Sequence, residues 1–338
     1  MTHIRRFACI AAAAACCAVV SPELLGQQAA KVDVEFTEWN TSTPNAHPHD
    51  PAYGIDGRSL WYTGQSAQTL GLVDMTTGQV REFPLPGPHG PHGLVSDKEG
   101  NIWYTGNAAG LIGRLDPKSG KVVEYKMPNP AARDPHTPIF DQSGVLWFTV
   151  QGGNFVGKLD PKTGMVTLKQ APPRSAPYGI VVLSNGTPVF DLFGTNKIAT
   201  IHPKTMEMTE YVLPEGARPR RIAVDGNDIV WYTDFPRGYL GRLDLKTRQV
   251  KEFASPSGRA SLPYGISTTA DGAVWYSESG VSPNTLVRFD PATSTFQKWN
   301  IPNGGGIVRH MVTAPNGELL LAYSGVSKVG RVRIRKTN

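Results

Sequence analysis

The sequence predicts an all-β protein, a seven-bladed β-propeller whose blades each contain four strands. Three observations support this fold class: an aromatic strand motif recurs about every 43 residues, turn-forming residues are abundant, and a segment near the N-terminus looks like a strand that the last repeat lacks. The chain of 338 residues contains 36 Gly and 28 Pro, and 18% of its residues are charged. This composition is typical of many short strands joined by turns and excludes a bundle of Ala-, Glu- and Lys-rich helices.

The repeated motif is a short strand with two adjacent aromatic residues followed by a hydroxyl residue. Five clear copies are Leu60–Thr63, Ile102–Thr105, Leu146–Thr149, Val230–Thr233 and Val274–Ser277, and two degenerate copies are Pro188–Asp191 and Leu319–Ala322. A period of about 43 residues is the length of one four-stranded propeller blade. Six or eight blades would need a repeat count that the sequence does not contain.

Each repeat contains the same elements in the same order. In the second repeat, Pro91–Leu94 begins the first strand, Ile102–Thr105 is the aromatic strand and Leu111–Leu115 is the third strand. A Pro-Lys-Ser-Gly turn at Pro117–Gly120 then leads to a last strand at Val122–Tyr125. Strands of four to six residues with alternating apolar side chains and a turn at every join indicate an antiparallel blade.

The seventh repeat ends after its third strand, near Ile334. Val32–Trp39, at the other end of the chain, resembles the last strand of a blade. We therefore expect this N-terminal strand to complete the last blade, which closes the ring and removes open sheet edges.

The first 30 residues are predicted to be a signal peptide that is cleaved between residues 26 and 30. Arg5 and Arg6 precede an apolar stretch, Phe7–Val20, which is too short to span a bilayer comfortably. We expect a periplasmic or secreted protein with one propeller domain at residues 31–338. A lipoprotein is less favoured, because no Leu stands three residues before Cys16 or Cys17.

The three cysteines all lie in this leader, so disulfides, thiolate catalysis and cysteine metal sites are excluded for the mature chain. The formal net charge of +6 is scattered along the chain, without the clustered basic patch of a nucleic-acid-binding protein. The sequence also lacks a glycine-rich phosphate loop and a nucleophile elbow. We expect a monomer without a membrane span.

Residues at one phase of each repeat converge at one mouth of the central channel of a propeller. The phase before each innermost strand is occupied by seven polar or aromatic residues: Tyr53, His92, His136, Tyr178, Arg220, Tyr264 and His310. One interpretation is a polar pocket at the mouth. The other is packing, in which the rings fill a narrowing channel.

The residue types suggest specific roles within such a pocket. Neutral His92, His136 and His310 are candidate bases, and together they are candidate metal ligands. Arg220, Arg221 and Arg309 are candidates for holding a carboxylate or stabilising an oxyanion, and Tyr264 for hydrogen bonding or stacking. Four acidic residues could support the pocket. Asp50 and Asp134 could orient a histidine, and Asp234 and Glu278 stand at the ends of aromatic strands, from which they could reach the same face.

The repeat resembles the virginiamycin B lyase (streptogramin lyase) family. The resemblance rests on three motifs, as in Pro177–Ile180, Leu146–Thr149 and Ile112–Leu115, and it covers Val32 to about Ile334. It implies a seven-bladed propeller that opens a cyclic depsipeptide by elimination. In that family a histidine removes the proton α to the ester carbonyl and a Mg²⁺ ion polarises the carbonyl.

The resemblance also implies which positions carry this chemistry. The family has a Pro-His in the sixth blade, a Glu-Pro-His in the seventh and a further Glu after the seventh aromatic strand. The seventh-blade His falls on His310, its Glu on Val308, the sixth-blade His on Tyr264 and the later Glu near Ser324. Three of the four positions therefore differ from the family pattern.

Three functions remain open at this point. The first is a lyase that eliminates across an ester, a lactone or an acidic sugar derivative. The second is a non-catalytic periplasmic propeller that binds a small anionic or ester-containing ligand or a protein partner. The third is a metal-dependent lactone hydrolase similar to the gluconolactonase propellers, which needs a carboxylate-rich metal site.

Overall fold

The computed structural model describes residues 31–337, and the predicted signal peptide lies outside them. The described chain folds into seven four-stranded antiparallel sheets. The innermost strands of neighbouring sheets pack on one another, and that of the seventh packs on that of the first. The predicted seven-bladed all-β propeller is therefore confirmed.

The sheets follow the chain order, with one strand taken from the N-terminus. Blade 1 contains β2 (Pro48–Tyr53), β3 (Ser59–Gly64), β4 (Thr69–Asp74) and β5 (Val80–Pro84); blade 2 contains β6 (Pro91–Ser96), β7 (Ile102–Gly106), β8 (Leu111–Leu115) and β9 (Val122–Lys126); blade 3 contains β10 (Pro135–Phe140), β11 (Leu146–Val150), β12 (Phe155–Asp160) and β13 (Met165–Gln170); blade 4 contains β14 (Pro177–Val182), β15 (Pro188–Leu192), β16 (Lys197–Ile201) and β17 (Met208–Val212).

Blade 5 contains β18 (Pro219–Val224), β19 (Val230–Asp234), β20 (Tyr239–Leu243) and β21 (Val250–Ala254); blade 6 contains β22 (Pro263–Thr268), β23 (Val274–Glu278), β24 (Thr285–Asp290) and β25 (Thr295–Asn300); blade 7 contains β26 (Val308–Thr313), β27 (Leu319–Tyr323), β28 (Lys328–Lys336) and, as its outer strand, β1 (Val32–Asn40). The nine residues of β1 pair with β28 from Val32 opposite Lys336 to Asn40 opposite Lys328. All seven copies of the aromatic motif lie in the second strand of a blade.

The aromatic motif explains how each blade packs. In blade 1 the ring of Tyr62 lies against Gly71 of the third strand, and a Cβ at Gly71 would come within 1.9 Å of it. The same contact joins Tyr104 to Gly113 and Tyr232 to Gly241. The glycine of the third strand is therefore required by the aromatic side chain opposite it.

Buried tryptophans fix the turn between the first two strands of blades 2, 3 and 5. The indole Nε1 of Trp103 donates to Asp97, and Trp147 and Trp231 make the same bond to Asp141 and Asp225, at 2.8–2.9 Å. These contacts confirm that the tryptophans belong to the core. The helical elements of residues 31–337 are two short 3₁₀ turns. None of the described residues forms a helix long and apolar enough to cross a membrane.

Candidate functional site at the channel mouth

The seven innermost strands begin in one shared register. The first residue of each pairs with the last residue of the second strand, and a bulge of two residues follows, as at Pro91 opposite Gly106. We call the two bulged residues the ring position and the second position. In blade order, the ring position holds His49, His92, His136, Tyr178, Arg220, Tyr264 and Arg309, and the second position holds Asp50, Gly93, Thr137, Gly179, Arg221, Gly265 and His310.

This register corrects two placements made from the sequence. Tyr53 is wrong as a ring residue, because it pairs with Leu60 at the other end of β2, and His49 takes the ring position. In blade 7, Val308 pairs with Tyr323 as Pro263 pairs with Glu278, so Arg309 takes the ring position and His310 follows it. The bulge shifts each assignment in a way that the sequence does not display.

In four blades a hydroxyl near the end of the second strand bonds the carbonyl of the ring residue of the next blade. The Thr105 hydroxyl accepts from Gly93 N at 2.8 Å and donates to the carbonyl of His136 in the next blade at 2.8 Å. Thr63 and Thr233 likewise donate to the carbonyls of the ring residues that follow. The hydroxyl predicted in the aromatic motif therefore joins neighbouring blades and positions the site.

Blades 1 to 3 present three imidazoles in contact. The ring centroids of His49 and His92 are 3.6 Å apart, and those of His92 and His136 are 3.9 Å apart. Tyr178 continues the row at 3.7 Å from His136, and its hydroxyl bonds that of Tyr264. All five side chains are buried. We call His49, His92 and His136 the imidazole arc.

Arg221 crosses the channel beneath this arc. Its Nη2 donates to Asp50 Oδ1 of blade 1 at 2.9 Å, and its Nη1 donates to Thr137 of blade 3 at 2.9 Å. Both Arg221 and Asp50 are 1% exposed. Because Asp50 Oδ1 also bonds His49 Nδ1 at 2.8 Å, one carboxylate links the cross-channel arginine to the arc.

Burial, together with the positive charges of the channel, keeps the histidines neutral. Burial lowers the pKa of His49 to about 4 despite its bond to Asp50, and burial with the charge of Arg221 lowers the pKa of His310 to about 3. Burial and neighbouring cationic groups hold the pKa of His92 and His136 well below the usual value. Although burial alone would raise it, the Arg221 guanidinium holds the pKa of Asp50 well below its usual range.

Blades 4 to 7 present arginines between aromatic rings. The guanidinium carbon of Arg220 lies 3.9 Å from the ring centroid of Tyr264 and 4.1 Å from that of Phe235. Arg218 lies 4.6 Å from the Phe193 ring, and Arg309 lies 5.9 Å from Tyr264. We call this set the cationic arc: Arg218, Arg220, Arg309, Phe193, Phe235 and Tyr264.

The arginines of the cationic arc have no carboxylate within salt-bridge distance among residues 31–337. Arg309 donates from Nε to Ser324, Arg218 donates from Nε to the Phe193 carbonyl, and the Nε of Arg220 is buried without a partner. Unpaired guanidinium groups beside aromatic rings are typical of sites that hold carboxylate or other oxyanions. Phe193, Phe235 and Arg218 were not predicted from the sequence. Phe193 and Phe235 occupy one repeat position directly after the second strand, and this was the available signal.

Seven site residues were predicted from the sequence, and all of them belong to the channel. His92, His136, Arg220, Tyr264 and Arg309 occupy ring positions, whereas Arg221 and His310 occupy second positions. The supporting acidic residues differ. Asp50 lies in the channel, but Asp234 bonds Arg237 and Glu278 accepts from Ser255, Ser257 and Thr285.

Asp134 lies in the loop before β10 and bonds Asn107. Burial raises the pKa of this carboxyl to about 6. Within the described chain its partners are this amide and nearby backbone, so the expected orientation of a histidine by Asp134 is not seen.

The donor set in the channel could hold a metal ion, but it does not fit Mg²⁺. His49, Asp50 and His92 each offer a ligand atom, and these atoms lie within 4.8 Å of one another. Mg²⁺ prefers oxygen ligands, whereas two imidazoles and one carboxylate suit transition metals. Asp50 Oδ1 is already bonded to Arg221, and this cation opposes another positive charge. The structure thus groups His92 with His49 and Asp50, in place of the predicted set His92, His136 and His310.

The model of the Virginiamycin B lyase family matches residues 23–192 and 167–337. The chain belongs to the virginiamycin B lyase family. No curated protein sequence matches the chain.

Solved structures show the same fold at low sequence identity. A streptogramin B lyase is 24% identical with a TM-score of 0.81, and the match covers 89% of this chain and 98% of that one. A catalytically inactive virginiamycin B lyase from Staphylococcus aureus with quinupristin is 23% identical with a TM-score of 0.80, covering 89% and 99%. Kuenenia stuttgartiensis hydrazine synthase is 14% identical with a TM-score of 0.72, covering 87% and 97%.

The register moves the family's seventh-blade motif by one residue on this chain. If the Pro-His of the sixth blade corresponds to Pro263-Tyr264, the repeat places the seventh-blade Glu-Pro-His on Ile307, Val308 and Arg309. Neither histidine and neither carboxylate of the family pattern is then present, since Ser324 stands near the remaining position. Tyr264 and Arg309 of the cationic arc thus stand at the two positions where the resemblance implies histidines.

Proposed function

We propose that this protein binds a small anionic or ester-containing ligand at the channel mouth, and that the cationic arc holds the negative or developing negative charge. The observation that carries the proposal is the pair Arg220 and Arg309, which flank Tyr264 without carboxylate partners in the described chain. Arg220 lies between two rings, so its fork of donors is fixed before a ligand arrives.

The family membership favours elimination as the reaction at this mouth. A neutral imidazole would remove a proton from the carbon β to the ester or lactone oxygen. A C=C bond would form as the alkyl C–O bond breaks, and the guanidinium groups would stabilise the carboxylate that leaves. His136 is the strongest candidate base, because its row of rings leads through Tyr178 toward the cationic arc. Its Nδ1 bonds the Thr137 hydroxyl at 2.9 Å, which fixes the orientation of the ring. No step of this scheme requires Mg²⁺.

A non-catalytic ligand-binding propeller is the second candidate, and the lowered histidine pKa values favour it. A general base works best when its pKa lies near the operating pH, and the pKa values of these imidazoles lie well below neutral pH. A metal-dependent lactone hydrolase has less support. Among the four acidic residues that it would need, only Asp50 belongs to a group with metal-ligand geometry in the described chain.

Thermal shift with simple carboxylates tests the binding proposal. Acetate, pyruvate and phenylacetate should raise the melting temperature in the presence of a chelator. Arg220→Gln and Arg309→Gln should weaken this effect. The matched control is Arg81→Gln, since Arg81 also lies on a phenylalanine ring, 4.3 Å from Phe83, but on the outer strand of blade 1. An equal loss in all three variants would contradict the proposal.

Mass spectrometry separates the reactions on cyclic ester or lactone substrates. Ring opening by elimination leaves the mass unchanged, whereas hydrolysis adds one water. Unchanged mass with loss of the ring supports a lyase, and binding without conversion supports the second candidate. We also propose export to the periplasm or medium on the basis of the N-terminal sequence, and cell fractionation with N-terminal sequencing of the mature protein tests it.

A further inference from the structure

The cationic arc combines charge with apolar surface in one continuous row. From blade 4 to blade 7 the row runs from Arg218 through Phe193, Arg220 and Phe235 to Tyr264, and Arg309 follows. The successive distances between guanidinium carbons and ring centroids range from 3.9 to 5.9 Å. Phe193 and Phe235 are partly exposed, and Arg218 is exposed.

The guanidinium group of Arg220 presents its edge to a ligand more than its faces. Tyr264 and Phe235 both lie against the guanidinium of Arg220, so a ligand meets mainly its in-plane N–H groups. Such a fork is complementary to a carboxylate in the same plane. The atoms that adjoin this carboxylate would then meet the exposed parts of Phe193 and Phe235, which are apolar.

One backbone observation adds apolar surface to the same mouth. Ile307 has a φ of 74°, a left-handed conformation that is strained for a β-branched residue. Its side chain is 37% exposed, two residues before Arg309. Strained residues cluster at ligand sites, where the surrounding structure holds them. Its neighbours do so here, because Ile307 N donates to Asn284 Oδ1 at 2.7 Å.

We infer that the ligand of this mouth is an amphipathic carboxylate, with an apolar alkyl or aryl body next to its anionic group. This inference rests on the proposed anion site and defines its specificity. Phe193, Phe235 and Arg218 are then specificity residues outside the ring and second positions. A strongly hydroxylated acid such as a sugar acid would place polar groups against the two phenylalanine rings and lose their hydrogen bonds to water.

Calorimetric titration of the mature chain with phenylacetate, acetate and glucuronate tests the inference. Phenylacetate should bind about tenfold more tightly than acetate, a preference within reach of one buried aromatic contact. Glucuronate should bind no better than acetate. Phe193→Ser and Phe235→Ser should weaken the binding of phenylacetate more than the binding of acetate, so the ratio of the two affinities should fall toward one.

The control variant is Phe83→Ser, which removes a phenylalanine below an arginine on the outer strand of blade 1. Circular dichroism melts identify any variant that fails to fold, and Phe193→Leu then replaces Phe193→Ser as a milder loss of aromatic surface. Equal affinity for acetate and phenylacetate, or tighter binding of glucuronate, overturns the amphipathic ligand but leaves the anion site standing. No binding of any of the three acids overturns the anion site itself.

Discussion

Removal of Arg221 tests the cross-channel network most sharply. In Arg221→Met the Asp50 carboxylate keeps its bond to His49 but loses the charge that compensates it, at a position that is 1% exposed. The reverse change, Asp50→Asn, leaves the arginine charge uncompensated. Each variant should therefore destabilise the fold strongly, since breaking one side of a buried ion pair costs about 3–5 kcal/mol.

The geometry gives a magnitude of the same order. At the 2.9 Å separation of Nη2 and Oδ1, two unit charges interact by about 6 kcal/mol at an effective dielectric constant of 20. The double variant Arg221→Met with Asp50→Asn removes both charges, so its cost should fall short of the sum of the single costs by about 2–3 kcal/mol. Arg58→Met, at an exposed pair, should change stability by less than about 0.5 kcal/mol.

Urea unfolding followed by tryptophan fluorescence measures these free energies. The pH dependence gives a second signature. Because the pKa of Asp50 is lowered in the folded state, its stabilisation is present above its unfolded pKa and is lost as pH falls through its folded pKa. Arg221→Met should therefore lose stability less steeply than the original chain on acidification below about pH 4. If each single variant costs less than about 1 kcal/mol and the two costs add in the double variant, the ion pair between Arg221 and Asp50 is refuted.

Three further changes test other parts of the structure. Asp191→Thr should stabilise the protein by about 1–2 kcal/mol in thermal or urea melts, because Asp191 stands where five other blades carry a hydroxyl and its buried Oδ1 has no partner. Burial also raises the pKa of Asp191, so the original chain, but not the variant, should lose stability as pH rises above about 4. Gly113→Ala should destabilise by more than about 2 kcal/mol, since its Cβ would come within 2.1 Å of the Tyr104 ring, whereas Gly226→Ala meets no atom within 4 Å and should change the unfolding free energy little. Asp134→Asn should flatten the pH dependence of stability between about pH 4 and 6, because burial raises the pKa of Asp134 to about 6 and its ionisation opposes folding as pH rises; an unchanged pH profile would contradict this.

The repeat alone was sufficient to predict the fold. The aromatic strand, the glycine opposite it and the turn residues recur in register, and each has a local physical reason that can be read from sequence. The motif is degenerate in the strands that contain Phe190 and Leu321. These two blades were predicted from the spacing of the repeats and not from the motif itself.

The site was harder to predict because it depends on a bulge and on contacts across the channel. Because of the bulge, His49 and not Tyr53 occupies the ring position of blade 1, and Arg309 and not His310 occupies that of blade 7. The bond between Arg221 and Asp50 joins residues 171 positions apart, and no periodicity indicates that these two charges meet. Phe193 and Phe235 share a repeat position, but only their distances to Arg220 in the structure show that they belong to the site.

A crystal structure of the mature chain soaked with phenylacetate is the most direct test of the anion site. We expect ligand density with its carboxylate on the guanidinium groups of Arg220 and Arg309 and its ring beside Phe193 or Phe235. Density for a metal ion held by His49, Asp50 and His92, with no carboxylate on the cationic arc, would contradict it.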